Sequence, residues 1–243
     1  MRTEPAPPPT AVTTGNLLLD ALPPVERARL LVRARTRSVG PQEVLVGDRE
    51  PITSVWFPAT AVVSLLTVLG DGTGVETATV GREGMVGTVV FLGDDRMRNG
   101  RAVVQLGGDV IGVPVGDFRA VLVEDGKLNA WMLDLTRALL FQVSQGVACN
   151  AAHPVRTRLA RWLLQTTDRV GRDDVELTQQ FLAEILHARR ASVTEALASL
   201  EAEGAVGRSR GRIQVVARAT LERAACECYR LVRDEHERVL WPV

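Results

Sequence analysis

The sequence predicts an α+β protein in which an antiparallel β-barrel comes first, a long helix follows, and a smaller helical domain with a β-hairpin closes the chain. Three observations predict this order. Short runs rich in Val, Thr and Ile, separated by glycine turns, fill residues 36–114, and many short strands without intervening helices are typical of antiparallel sandwiches and barrels. From Asp117 onward the apolar residues recur with a helical period. Pro154 then interrupts the helical region and separates the long helix from the final domain.

Length and composition limit the class of protein. A chain of 243 residues exceeds the commonest single-domain size, so we expect two modest domains. Apolar runs such as 61–69 are far shorter than the roughly 20 residues that cross a bilayer, and the N-terminus lacks the order of a secretory signal. Three cysteines are too few for a disulfide framework. We therefore expect a soluble cytoplasmic protein, whose 29 basic and 29 acidic residues neither require nor exclude a nucleic acid partner.

The barrel domain is predicted to cover residues 16–126, after a disordered tail over 1–15 that is rich in Pro and Thr. Two short helices over 16–31 precede the first strand, because helical apolar spacing surrounds a Pro-Pro pair. A short helix that begins at Asp117 ends the domain at Gly126. The predicted strands are 43–46, 54–57, 61–69, 74–80, 101–105 and 110–114.

A long helix with a narrow apolar seam is predicted over residues 127–152. The seam residues recur at alternating spacings of four and three: Leu128, Met132, Leu135, Leu139, Gln142, Gly146 and Cys149. This spacing is typical of two-stranded coiled coils, so we predict a dimerisation helix and a homodimer. The alternative interpretation is an amphipathic helix that packs on its own barrel, and Gln142 and Gly146 make the seam imperfect.

Two short helices joined by a tight turn are the most informative pattern in the C-terminal domain, residues 153–243. Thr178 is a suitable cap for the first helix, and the second is predicted from Arg190 to Glu203. A pair of helices at this spacing can present the second helix to the major groove of DNA. The alternative interpretation is two helices that simply pack together.

The candidate DNA-binding residues lie on these helices and in the hairpin that follows them. They are Thr178, Arg189, Arg190, Ser192, Glu195, Arg208, Arg210 and Arg212. Arginine can bond guanine through two hydrogen bonds, and glutamate can accept one from cytosine. The segment 205–218 holds four arginines and no acid, which favours phosphate contacts and predicts a winged helix-turn-helix. His187 stands in the turn where glycine is common, although histidine tolerates positive φ better than most residues.

Four segments, 56–66, 81–87, 153–164 and 177–201, resemble the Crp/Fnr-type regulators over roughly residues 16–235. The resemblance implies a cyclic-nucleotide-binding-like barrel of the cupin-like, double-stranded β-helix type as a sensor, followed by a dimerising helix and a winged helix. It also implies a bacterial transcription regulator that acts as a homodimer on a near-palindromic operator in double-stranded DNA, with RNA polymerase as a partner.

An effector pocket is placed by the resemblance at two short segments. They contain Gly84, Met85, Val86 and Gly87, then Arg101 and Ala102. Members that bind cyclic nucleotides carry a glutamate for the ribose and an Arg-Ser/Thr pair for the phosphate, whereas this chain has Met85 and Ala102 there. A buried anion without its partners is poorly compensated. We therefore predict that neither cyclic AMP nor cyclic GMP binds, and the effector stays unknown.

The cysteines and histidines predict no metal site. Family members with an iron–sulfur cluster supply four cysteine ligands, and this chain has three cysteines. Cys226 and Cys228 are predicted on one helix, where their thiols project about 200° apart and cannot chelate one metal. His153, His187 and His236 are scattered along the chain. We interpret the cysteines as core thiols, with redox sensing as the alternative.

Two other classes of function fit the sequence less well. One is a ligand-binding regulatory module whose C-terminal domain docks a protein partner, which the basic hairpin disfavours. The other is an enzyme, but the chain has no nucleophile elbow, phosphate loop or metal-binding motif. We therefore predict no catalytic residues.

Overall fold

The computed structural model describes residues 13–124, 126–209 and 211–241. Most of the predicted tail, and Arg210 of the hairpin, lie outside these ranges. The two short helices predicted before the first strand are confirmed as α1 (Leu17–Ala21) and α2 (Pro24–Leu31). Asn16 caps α1, accepting a hydrogen bond from the Leu19 amide at 2.9 Å and donating one to the Pro58 carbonyl at 2.7 Å. This cap fixes the N-terminal helices to the strands.

Within the described N-terminal residues, seven strands form two facing antiparallel sheets, which confirms the predicted β architecture. The strands are β1 (Arg35–Val39), β2 (Val44–Val46), β3 (Ser54–Pro58), β4 (Val62–Val68), β5 (Gly74–Val80), β6 (Gly100–Leu106) and β7 (Gly108–Pro114). Their orders are β1-β7-β3 and β2-β6-β4-β5, and every pairing is antiparallel. In the described part of the chain the two sheets share no strand pair, so the barrel is an open, jelly-roll-like sandwich. Strand β1 was not predicted, because its Arg-Thr-Arg-Ser-Val sequence is exposed except at Val39.

The rest of the chain is mostly helical. It contains α3 (Val115–Glu124), α4 (Gly126–Ala152), α5 (Val155–Val170), β8 (Asp174–Glu176), α6 (Gln179–Ile185), α7 (Arg190–Ala202), β9 (Val206–Ser209), β10 (Arg212–Val215), α8 (Arg218–Ala224) and α9 (Cys228–Leu240). The α+β class, the long helix and the winged helix-turn-helix are thus confirmed. None of the helices in the described ranges combines the length and apolar character that a membrane span needs.

The long helix α4 packs against its own protomer, on β5 and on the last helix α9. Leu128, Met132 and Leu135 of the predicted seam are buried in one core with the strands of the two sheets. Gln142 is also buried and donates a hydrogen bond to the Thr79 carbonyl at 2.9 Å. Leu139 is half-buried. The structure therefore corrects the predicted dimer interface, because the protomer itself covers this seam.

A second apolar stripe on α4 faces outward. Leu133, Leu140 and Val147 are 59%, 66% and 68% exposed, and they follow one another at intervals of seven residues. Seven residues are close to two helical turns, so these side chains line one side of the helix. We call Leu133, Leu140 and Val147 the outer stripe.

The predicted helical break is observed at His153 and Pro154, because α4 ends at Ala152 and α5 begins at Val155. Helix α5 runs from Val155 to Val170 and is capped by Gly171, which adopts φ +70°. The hairpin β9–β10 gains a third strand, β8, which was not predicted. Helix α8 ends at Ala224 and α9 begins at Cys228, so Cys226 lies between two helices and the prediction of a single helix carrying both thiols is wrong.

Arg169 joins the two halves of the molecule. Its Nε donates to Glu83 at 2.8 Å, and its Nη2 donates to the Gln142 side chain at 3.2 Å. Burial raises the pKa of Glu83, but the Arg169 guanidinium, the nearby His236 and the backbone amide of Glu83 together offset this, so the pKa is lowered overall. The adjoining Arg82 donates to the Asp168 carbonyl at 3.0 Å. This polar contact holds α5 against the loop after β5.

Candidate nucleic-acid interface

Helices α6 and α7 form a compact pair whose first helix is capped by Thr178. The Thr178 hydroxyl accepts a hydrogen bond from the Phe181 amide at 3.1 Å. Within the turn, His187 adopts φ +45°, so the chain reverses there without glycine. Leu182 of α6 packs with Val193 and other apolar residues of α7 in the core of the domain. The predicted helix-turn-helix geometry is confirmed.

The start of α7 is exposed and basic. Arg189 is its N-cap residue and Arg190 its first helical residue, and both side chains face solvent. No ion pair holds either guanidinium among the residues that the structure describes. Glu195 is exposed further along the helix and Ser192 is half-buried. A helix N-terminus already favours anions, so two unpaired arginines there make a strong attraction for phosphate or base oxygens.

The two described arginines of the hairpin, unlike those of α7, are held in ion pairs. Arg208 pairs with Glu201 of α7, whose pKa is lowered by this hydrogen bond. Arg212 pairs with Glu176 at 2.6 Å and with Asp174 at 3.3 Å, both on β8. Exposed ion pairs contribute little to stability because water and salt screen them, so a phosphate can replace these partners at small cost.

Thr194 is a further candidate DNA-contacting residue, which was not predicted from the sequence. It lies four residues after Arg190, one helical turn along the same exposed side of α7. Its hydroxyl is 3.0 Å from the Gln179 side-chain oxygen of α6. The helical spacing from Arg190 was the signal that could have identified it.

Helix α5 supports the far end of α7. Arg156 donates to Ser199 at 3.0 Å and to Glu203 at 2.6 Å. These bonds hold the C-terminal end of α7, so its N-terminal arginines project from a supported helix.

The predicted effector pocket is filled by protein. Met85, Val86 and Ala102 are buried in the core between the sheets, and Val86 pairs with Trp56 through two backbone hydrogen bonds. The cavity beside Gly84 and Met85 measures about 10 Å³. Ligand pockets usually measure about 300–1,000 Å³, so this cavity does not accommodate a nucleotide.

A larger cavity of about 300 Å³ lies between α9 and the loop after β5. Two of its arginines, Arg169 and Arg218, are paired with Glu83 and Asp168. Its charges are therefore largely compensated within the protein.

Comparison with known proteins supports the geometric interpretation. Residues 157–224 match the Crp-like helix-turn-helix domain. The fold is similar to that of FixK2 from Bradyrhizobium japonicum, with a TM-score of 0.64, 18% identity, and coverage of 80% of this chain and 98% of that chain. It is also similar to a CRP-family transcriptional regulator from Thermus thermophilus, with a TM-score of 0.62, 21% identity, and coverage of 78% and 96%. The c-di-GMP-responsive global regulator CLP of Xanthomonas campestris is similar with a TM-score of 0.61 and 13% identity, and the match covers 79% of this chain and 99% of that chain. Among curated proteins there is no significant match.

Proposed function

From the premise that the chain carries a Crp-like helix-turn-helix domain in a Crp/Fnr-type fold, we propose that it is a sequence-specific DNA-binding transcription regulator. The observation that carries this proposal is the pair of exposed arginines, Arg189 and Arg190, at the N-terminus of α7. Their side chains can reach base edges in the major groove, while the hairpin arginines reach phosphates. Since bacterial DNA lies in the cytoplasm, the protein acts there.

Genome-wide selection of DNA fragments by the purified full chain tests this function. The expected result is enrichment of one motif, with binding that weakens steeply as salt rises. Protein that binds no DNA at any salt concentration would favour the alternative, a module whose C-terminal domain docks another protein. Recruitment of RNA polymerase stays a prediction.

The regulator acts as a homodimer, and the outer stripe of α4 is its interface. Leu133, Leu140 and Val147 are exposed apolar side chains at a heptad interval, which is the pattern of a two-stranded coiled coil. A two-fold dimer places two copies of α7 on one face of DNA. The operator is then a near-palindrome with half-site centres about 34–36 Å apart, one turn of DNA.

The variant Leu140→Glu tests the interface, because two carboxylates facing each other in an apolar seam repel. We expect sedimentation to show monomers. Leu92→Glu is a matched control, since Leu92 is 61% exposed on a loop far from α4 in sequence and should leave the dimer intact. A Leu140→Glu protein that sediments as an unchanged dimer removes the outer stripe from the interface.

The N-terminal domain does not respond to cyclic AMP. The support is that Met85 and Ala102 are buried where the resemblance places the ribose and phosphate partners. Losing two such hydrogen-bonding groups costs about 1–3 kcal/mol each. Calorimetry with cyclic AMP is expected to show no saturable binding at micromolar concentrations, and a saturable isotherm would contradict the assignment.

A further inference from the structure

Four potential metal ligands converge at the break between α4 and α5. Cys149 lies near the end of α4, His153 at the break, Cys226 between α8 and α9, and Cys228 at the start of α9. One ligand atom from each residue lies within 4.8 Å of the other three. They come from parts of the chain about 75 residues apart, so local sequence does not force them together.

Two of the six distances between the ligand atoms are close to the edges of a tetrahedron around one ion. The Sγ atoms of Cys149 and Cys226 are 3.5 Å apart, and Cys228 Sγ is 3.6 Å from His153 Nδ1. Zinc bonds of about 2.3 Å to sulfur and about 2.0–2.1 Å to nitrogen give tetrahedral edges of about 3.8 Å and 3.6 Å. With all four ligand atoms within 4.8 Å of one another, small side-chain movements can bring them to the distances that one zinc ion requires.

We propose that Cys149, His153, Cys226 and Cys228 form a tetrahedral metal site for Zn²⁺. Three thiolates and one imidazole are the Cys₃His ligand set of closed structural zinc sites. Soft sulfur ligands in tetrahedral geometry favour zinc over magnesium, calcium or manganese. Four protein ligands leave no open position for a substrate, so the role of the ion is structural.

The surroundings of the four ligands are those of a metal site. The other nitrogen of His153, Nε2, faces the Glu227 carboxylate at 3.5 Å, so an Nε2 proton can be held by the acid while Nδ1 binds the ion. Such carboxylate–histidine pairs orient metal ligands in many proteins. Gln145 donates a hydrogen bond to Cys228 Sγ at 3.1 Å. Thiols that only fill an apolar core do not need these polar partners.

Water is largely excluded from the sulfur atoms. Cys149, Cys226 and Cys228 are 0%, 8% and 1% exposed, and they form a small buried cluster of their own. Binding of Zn²⁺ displaces the three thiol protons and leaves one net negative charge on the complex, so the affinity rises with pH. The ion ties the end of α4 to the junction of α8 and α9, across the connection between the two domains.

Metal uptake by the full-length, tag-free and reduced protein tests the proposal. We expect one Zn²⁺ per chain in competition with a chromophoric chelator, and release of protons on binding. Co²⁺ is expected to give the visible absorption of a tetrahedral ion and a near-ultraviolet thiolate charge-transfer band. The readout is independent of DNA, so it stands or falls separately from the proposed function.

Five variants extend the test, three that change the site and two that serve as controls. His153→Gln and Cys228→Ser are expected to lose high-affinity uptake. His187→Asn is expected to keep it, because His187 does not belong to the four-residue cluster and asparagine tolerates its positive φ. Glu227→Gln is expected to weaken zinc binding about 10- to 100-fold. Glu237→Gln, on the same helix, should leave the affinity unchanged.

Three results would overturn the proposal. One is reduced protein that takes up no metal, and another is His153→Gln protein that binds zinc as tightly as the parent. The third is a stable Cys149–Cys226 disulfide, identified by mass spectrometry, in protein that binds no zinc after reduction. That last result would assign the pair to redox chemistry instead.

Discussion

Helices α4 and α7 were both predicted from helical periodicity, but the predicted partner of the buried face is correct for α7 and wrong for α4. In α7 the apolar residues Val193 and Leu197 are buried beneath the helix and Arg190 faces solvent, as predicted. In α4 the predicted seam is also buried, but by the protomer's own sheets and by α9 instead of by a second copy. Helical periodicity therefore identifies which face of a helix is buried but not what covers that face.

The reason is physical. A short helix such as α7 has one apolar face, so its single buried side must meet its own domain. Helix α4 spans 27 residues and carries two apolar stripes, of which the stronger packs inside and the outer stripe remains free. Only the path of the rest of the chain decides between them.

The largest expected effect distinguishes the two stripes of α4. Leu135→Ala removes a fully packed side chain from the core and should lower the free energy of unfolding by about 2–5 kcal/mol. The loss should not depend on protein concentration, whereas a change in the outer stripe should. Urea denaturation at two protein concentrations measures both. A Leu135→Ala effect that grows on dilution would return the predicted seam to the dimer interface.

The exposed face of α7 is tested by Arg190→Ala. If Arg190 contacts a base edge, binding to the selected operator should weaken by about 1–3 kcal/mol, and preference should relax at one position per half-site. Titration of operator and scrambled DNA measures the difference between the two. Equal losses on both DNAs would mean that Arg190 contacts only phosphate and would leave base reading to Arg189 or Glu195.

The contact between the sheets and the C-terminal domain gives a pH-dependent effect. Glu76 on β5 borders a cavity that Ile185 and His187 also line, and burial raises its pKa to about 7 despite hydrogen bonds from Ser64 and Gln105. Protonated Glu76 therefore stabilises the fold fully below its unfolded pKa of 4.5, and this contribution is lost as pH rises through about 7.

Glu76→Gln should remove this dependence. A shift from 4.5 to about 7 sets an upper bound of about 3 kcal/mol, and because the side chain keeps some contact with water we expect about 1–2 kcal/mol. The difference between the unfolding free energies at pH 5 and pH 8 should be smaller in the variant than in the parent. Unchanged curves would show that the two domains do not pack this way in solution.

The smallest effect concerns the hairpin. Arg212→Ala should weaken all DNA sequences alike and make the salt dependence shallower by about one unit per lost phosphate contact. Glu176→Gln removes one partner of Arg212 without touching the arginine, and should strengthen non-specific binding by less than about 1 kcal/mol. Titrations of scrambled DNA at several salt concentrations compare the two variants. A loss for both variants would show that the ion pair is needed to hold the hairpin.

Much of the fold could be predicted because local signals are strong. Strand β5 was predicted with its observed limits. The Thr178 side chain caps the start of α6, and the left-handed backbone of Gly171 caps the end of α5, as predicted. Strand β1 escaped because its exposed polar residues show no alternation, and β8 because it has three residues.

The candidate metal site could not be predicted for a different reason. On one continuous helix the thiols of Cys226 and Cys228 would point in different directions. In the structure α8 ends before Cys226 and α9 begins at Cys228, so both thiols lie in the same cluster. No sequence spacing reports that Cys149 and His153 meet them, because that proximity depends on how α9 returns along α4. In the same way, the resemblance could place Met85 and Ala102 but not show that protein fills the space between them.

The connection between α4 and α5 consists of His153 and Pro154 alone. Two residues supply four backbone torsions, and the proline ring fixes one of them, its own φ, at −67°. Proline also confines ψ of the preceding histidine to extended values. If both helices stay intact, the C-terminal domain can therefore swing only about His153 φ and Pro154 ψ. Its possible orientations relative to the N-terminal domain are therefore described by these two torsion angles. One chain can interconvert only those arrangements of its two domains that rotations about the two bonds connect.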